Sequence, residues 1–123
     1  SGRFAVVIIS HNHAVGVDIE QISPRLHRIA DKFISPEETG REVHELSTAE
    51  LCLHWCAKEA LYKLYGERNL DFREHIRVLD PPANMQGPFE GLIRGRDAAS
   101  RYQLHSEVID DYCLVYAVDT AAG

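Results

Sequence analysis

The chain has little cysteine, a single tryptophan, a single methionine and a deficit of basic residues, and these shortages exclude several classes of protein. Its three cysteines, Cys52, Cys56 and Cys113, are too few to staple a secreted scaffold and odd in number, so a reducing compartment is expected and the cytoplasm is the default location. Apolar runs such as FAVVII are far too short to span a bilayer, and SGRFAVV has neither the basic region nor the cleavage site of a signal peptide. The 13 Lys and Arg stand against 19 Asp and Glu, a formal charge of -6, which argues against a general nucleic-acid binder. Repeats, low-complexity tracts and a GxxxxGK phosphate loop are missing too. With 123 residues, 45% of them hydrophobic, the chain can build one domain around one modest core.

What is there reads as strands, then helices, then strands. RFAVVIIS (residues 3–10) and VGVDIE (residues 15–20) are β-branched runs joined by a short turn, which suggests a hairpin. Ser23-Pro24 sets a cap residue before a proline, with Leu26, Ile29, Ala30 and Phe33 following on a helical period. Ser35-Pro36-Glu37-Glu38 adds the acid of a capping box and predicts a second helix running towards Glu45. Ser47-Thr48-Ala49-Glu50 is a further capping box. It launches the strongest helix, residues 48–65, with Leu53, Ala57, Ala60, Leu61 and Leu64 as its apolar stripe and Gly66 as its stop. Residues 68–75 look irregular, residues 76–79 form a short strand before Pro81-Pro82, and residues 89–94, 102–109 and 112–118 alternate as antiparallel strands. The expected fold is α+β, an antiparallel sheet packed against a long core helix, with residues 1–123 forming a single domain. The chain enters its first strand almost at once, as natural domains can and as a cut at a domain boundary also would, with Ser1-Gly2 resembling in part a tag remnant.

One strand carries an anomaly. Alternation puts Val15, Val17 and Ile19 on one face, expected to be the core, and Gly16, Asp18 and Glu20 on the other. The two carboxylates then lie about 7 Å apart along the strand. Either this is the solvated side of an edge strand, or it is part of a site for a hard cation such as magnesium, which needs a third oxygen ligand and can take phosphate oxygens as well. In LHWCAKEALYKLYG, Glu59 stands four residues before Lys63, Trp55 four before Glu59, and Lys58 lies alongside. Glu-to-Lys at that spacing is commonly a surface pair worth a few tenths of a kcal/mol (~0.3), and tryptophan is commonly core. An acid flanked by lysines, brought beside two more acids, would instead make a phosphate-and-metal site. Periodicity does not show whether strand and helix meet.

GVDIE followed by WCAKEALYK resembles the signature of the 4'-phosphopantetheinyl transferases, and KFISPEE resembles that family's F-(S/A)-x-x-E helix start. The likeness is to the surfactin-synthetase-activating type rather than the shorter holo-acyl-carrier-protein synthase type. It covers residues 3–66 and fades beyond them. The resemblance implies a transferase-like half-domain that moves 4'-phosphopantetheine from coenzyme A to a serine of an acyl or peptidyl carrier protein, which is holo-ACP synthase activity. It implies Asp18, Glu20 and Glu59 as magnesium ligands, Glu59 also as a candidate base, and Lys58 and Lys63 beside the coenzyme A phosphates, with Lys63 helping the leaving group. Trp55 is expected to be a packing element. Surfactin-type enzymes are pseudo-dimers of two similar halves, and this chain resembles only the C-terminal half. It lacks the family's Ser-His-(Ser/Thr) segment, so either an N-terminal half is missing or a homo-oligomer restores the cleft. No nucleic acid or membrane is implied as a partner.

Other features suggest less. Arg25, Arg28 and Lys32 could form a basic patch for an acidic carrier protein or simply a solvated face. His11 and His13 with a cysteine could hold zinc, but a surface turn explains the pair of histidines. Cys52 and Cys56, one helical turn apart, fit a small-residue seam, Cys113 fits the core, and His54 fits a partly buried structural role. The alternative to the enzyme is a non-catalytic oligomerisation or carrier-protein-docking domain whose acids are merely solvated.

Overall fold

Three local signals specify the long helix: a reciprocal cap, an apolar stripe and a glycine stop. In a computed structural model, which describes residues 14–67, 69–95 and 98–119, all three are realised in α2 (Thr48–Tyr65). The Ser47 hydroxyl accepts from Glu50 N at 3.1 Å, and the Glu50 carboxylate accepts from Ser47 N at 3.0 Å. Gly66 ends the helix in the left-handed conformation, φ 77°. Leu51, Cys52, Leu53, Cys56, Ala57, Ala60 and Leu61 are buried along it.

Among the described residues five strands make one antiparallel sheet: β1 (Val15–Gln21), β2 (Ile76–Leu79), β3 (Gly87–Arg94), β4 (Ala99–Ile109) and β5 (Tyr112–Val118), in the order β1-β5-β4-β3-β2. The fold is the expected α+β arrangement, with α2 laid across one face of the sheet. The expected hairpin partner at residues 3–10 lies outside the described residues. No helix among the described residues is long and apolar enough to cross a membrane.

The two faces of β1 are assigned the other way round from the sequence reading. Gly16 and Asp18, not the valines, are buried under α2 with Cys113, Val115 and Ala117 of β5. Val17 and Ile19 turn to the opposite face and pack with Tyr112, Leu114 and Tyr116. Register accounts for the grouping, since Asp18 stands opposite Val115 and Ile19 opposite Leu114. The reason is steric. The α2 backbone passes directly over Gly16, where any side chain would collide with the Ala60 carbonyl. Only the glycine-bearing face admits so close a helix.

Between β1 and α2 the local helix grammar predicts too much. Residues after Ser23 form only two 3-10 turns, Pro24–Arg28 and Ala30–Lys32, and the next helix, α1 (Pro36–Thr39), stops at Gly40 before a further turn at Val43–Glu45. The apolar period still operates, for Leu26, Ala30 and Phe33 are buried. The capping box at Ser35 does not form, because Glu38 turns inward and answers a tertiary demand. Within the stretch read as irregular, Asp71 caps a short helix, α3 (Phe72–His75), by accepting from Arg73 N and Glu74 N.

Candidate active site

The strand acids and the helix meet. β1 aims Asp18 at α2, Gly16 leaves room two residues earlier, and Lys63 in the last turn of the helix donates to Asp18 Oδ1 at 2.7 Å and to Val17 O at 3.3 Å. The Asp18 side chain is only 8% exposed, and its second oxygen, Oδ2, is buried without a hydrogen-bond partner. Glu20, next but one on the same face, pairs with Arg25 at 2.6 Å.

The three carboxylates affect one another. Burial raises the Glu20 pKa first, the Asp18 carboxylate beside it and the charge of Glu59 raise it further, and Arg25 opposes them. Burial also raises Glu59, followed by the charge of Asp18, with Lys63 opposing. Lys63 is pulled down by partial burial, but its hydrogen bond to Asp18 and the nearby acids more than offset this and leave it above the ordinary lysine value. Asp18, Glu20, Glu59 and Lys63 therefore share one electrostatic neighbourhood. As the side chains stand, no group of three His, Cys, Asp or Glu among the described residues is arranged to hold a metal ion. The donors are nevertheless of the kind magnesium takes: hard carboxylate oxygens, one of them buried and unpartnered.

Lys58 lies elsewhere, which corrects its expected place at a phosphate. Its ammonium is 0% exposed and donates to Phe33 O at 2.6 Å, Glu38 Oε1 at 2.7 Å and Phe72 O at 3.0 Å. An ammonium has three N–H donors, so none is left for a ligand in this arrangement. Neighbouring helix positions point about 100° apart, which sends Lys58 inward while Glu59 stays at the strand acids. Glu38 completes the interior cluster: it accepts from Lys58 and from Val78 N at 2.7 Å, and His54 Nδ1 lies 3.6 Å away. Burial alone would raise Glu38, but His54 and Lys58 more than offset that and hold its pKa below the usual carboxylate value. The sequence reading missed Glu38 in this role. The available signal was a lysine within an apolar stretch of helix, which requires an acid partner when buried.

Trp55 is half-buried between Phe33, at 5.1 Å between ring centroids, and Phe72, at 5.5 Å. These rings and Ile29, Lys32 and Asp71 line a groove of about 300 Å³. A larger cavity of about 620 Å³ includes none of Asp18, Glu20, Glu59 and Lys63, so cavity volume does not mark the acid cluster. Cys56 donates to Asp18 O at 3.2 Å and Cys52 to Gln21 O at 3.6 Å, which makes the cysteines part of the seam between α2 and β1. All three cysteines are buried free thiols. His11 and His13, and with them the zinc reading, lie outside the described residues. Of the basic patch, Arg28 and Lys32 are exposed, whereas Arg25 is tied to Glu20, Ser23 and Gln21 O.

The family model of the 4'-phosphopantetheinyl transferase superfamily matches residues 14–117. This corrects two expectations. The likeness does not fade after residue 66 but runs through the whole strand block, and it takes in nearly the whole chain rather than a C-terminal half alone. A comparison with curated proteins finds no match.

Proposed function

This chain belongs to the 4'-phosphopantetheinyl transferase superfamily, and on that premise we propose that it transfers 4'-phosphopantetheine from coenzyme A to a serine hydroxyl of an acyl or peptidyl carrier protein. The observation that carries the reading is the buried, unpartnered Oδ2 of Asp18, beside the Lys63 ammonium and within the field of Glu20 and Glu59.

The roles follow from the chemistry. The serine oxygen forms a bond to the pantetheine-side phosphorus while the bond from that phosphorus to the bridging oxygen breaks, releasing adenosine 3',5'-bisphosphate. Glu59 accepts the serine proton. Lys63 is half exposed on a flexible stem and offsets the charge that grows on the departing phosphate. Asp18 and Glu20, with an oxygen of Glu59, would hold magnesium, which supplies charge neutralisation and orientation of the pyrophosphate. Lys58 acts from the interior as a positioning residue. A second copy of the chain completing the coenzyme cleft belongs to this reading, as does a cytoplasmic carrier protein.

The second reading is a non-catalytic docking or oligomerisation module. What favours it is that Asp18 and Glu20 each already have a basic partner. One assay separates the two. Incubation with coenzyme A, magnesium and an apo carrier protein should add phosphopantetheine to the carrier serine, seen by mass spectrometry, and Asp18→Asn should abolish it. A folded wild-type protein that leaves the carrier unmodified, as a monomer and at concentrations where copies associate, rejects the enzyme.

A further inference from the structure

Two lysines on one helix are held in opposite ways. Lys58 is enclosed, with each N–H on a protein oxygen. Lys63 is 51% exposed and has one short bond, to Asp18, and one longer bond, to Val17 O. Asp18 is fixed: it sits in the middle of a paired strand and is nearly buried. Around that carboxylate the charged groups are Lys63 and Glu59 from α2, and Glu20 from β1 with its partner Arg25. A cation drawn to the unpartnered Oδ2 of Asp18 comes to the carboxylate on which the Lys63 ammonium already sits. A dication and an ammonium repel strongly at such range, and only the lysine is free to leave.

We propose that Lys63 and a divalent cation compete for Asp18, so that cation binding expels the ammonium from the acid cluster and delivers it to a phosphate of the substrate. The inference rests on the transferase reading and adds a coupling to it. The cation need not touch Lys63 to recruit it, because displacement from Asp18 costs the ammonium its short carboxylate bond, and a phosphate supplies another. Each ligand then tightens the other, as linkage requires. The lysine that resists metal in the absence of substrate thereby makes the metal site and the phosphate site engage together.

The test is calorimetric titration of magnesium into the full chain, with and without saturating coenzyme A, for wild type, Lys63→Met and Asp18→Asn. Lys63→Met keeps the aliphatic stem at an exposed position, and circular dichroism verifies its fold. Without coenzyme A, Lys63→Met should bind magnesium at least about fivefold tighter than wild type, and the enhancement of magnesium affinity by coenzyme A should shrink by a similar factor. In wild type the Lys63 side-chain ammonium resonance, identified by its loss in Lys63→Met, should shift on adding magnesium alone. Unchanged or weaker magnesium binding by Lys63→Met, with Asp18→Asn abolishing it, overturns the competition and leaves the transferase reading standing. Magnesium binding that survives Asp18→Asn, or is missing from every variant even with coenzyme A, rejects both.

Discussion

The Ala60 carbonyl on α2 faces Gly16 on β1 so closely that a Cβ at position 16 would collide with it. The obstacle is backbone rather than a flexible side chain, so Gly16→Ala must push helix and strand apart. The expected cost is about 3 kcal/mol in urea unfolding, together with weaker magnesium binding, because Asp18 and Glu59 move apart. Wild-type stability in this variant would show that the helix does not press on the strand there.

Lys58 and Glu38 form a buried pair whose halves cannot be separated cheaply. Lys58→Met should destabilise the protein by about 3–5 kcal/mol by leaving an uncompensated carboxylate, and adding Glu38→Leu should recover part of that loss. A Lys58→Met protein as stable as wild type but weaker for coenzyme A would return Lys58 to the phosphate site.

Glu59 is expected to separate stability from function. Its folded pKa is raised, so its contribution is complete below the unfolded carboxyl value and is lost as pH rises through the folded value. At neutral pH Glu59→Gln should therefore unfold no more readily than wild type. Phosphopantetheine transfer should nonetheless fall by about 10²–10⁴, measured as carrier modification per unit time.

Glu50 shows the opposite sign. The Arg41 side chain, then Ser47, holds its carboxyl at about 2, from 4.5. The resulting stability is complete above 4.5 and drains away as pH falls towards 2. The pair is partly exposed and screened by water, so Glu50→Gln should cost only about 1 kcal/mol at neutral pH, cap included. Its denaturation midpoint should converge on wild type at the acid end.

The sequence was most legible where structure depends on near neighbours. Ser47, Glu50 and Gly66 bound the long helix within the segment they flank, and residues 112–118 were read at their observed limits. Residues 23–45 have equally good local grammar, yet Glu38 leaves its cap to meet a lysine twenty positions along. Such a demand arises only once the chain has folded. The reversed faces of β1 have a related cause. Both Asp18 and Ile19 are buried in the fold, and what decides which side lies under the helix is how closely another backbone approaches, which Gly16 records. The acids and Lys63 were singled out by resemblance, and their proximity could be learned only from the tertiary structure. Lys58 was misplaced because full burial of a lysine is rare.

The pairing of β1 with β5 has a consequence for biosynthesis. Val15 faces Val118, and Asp119 N bonds to Ala14 O, so among the described residues the sheet partner of the strand that bears Asp18 is β5, the described strand farthest from it along the chain. A nascent chain still missing residues 112–118 lacks the strand against which, among the described residues, β1 lays Asp18 beside Lys63. Contacts spanning this much sequence form slowly. The acid cluster is thus expected to mature late, and a chain halted before residue 112 would display the signature motifs yet lack the strand pairing that holds Asp18 in place.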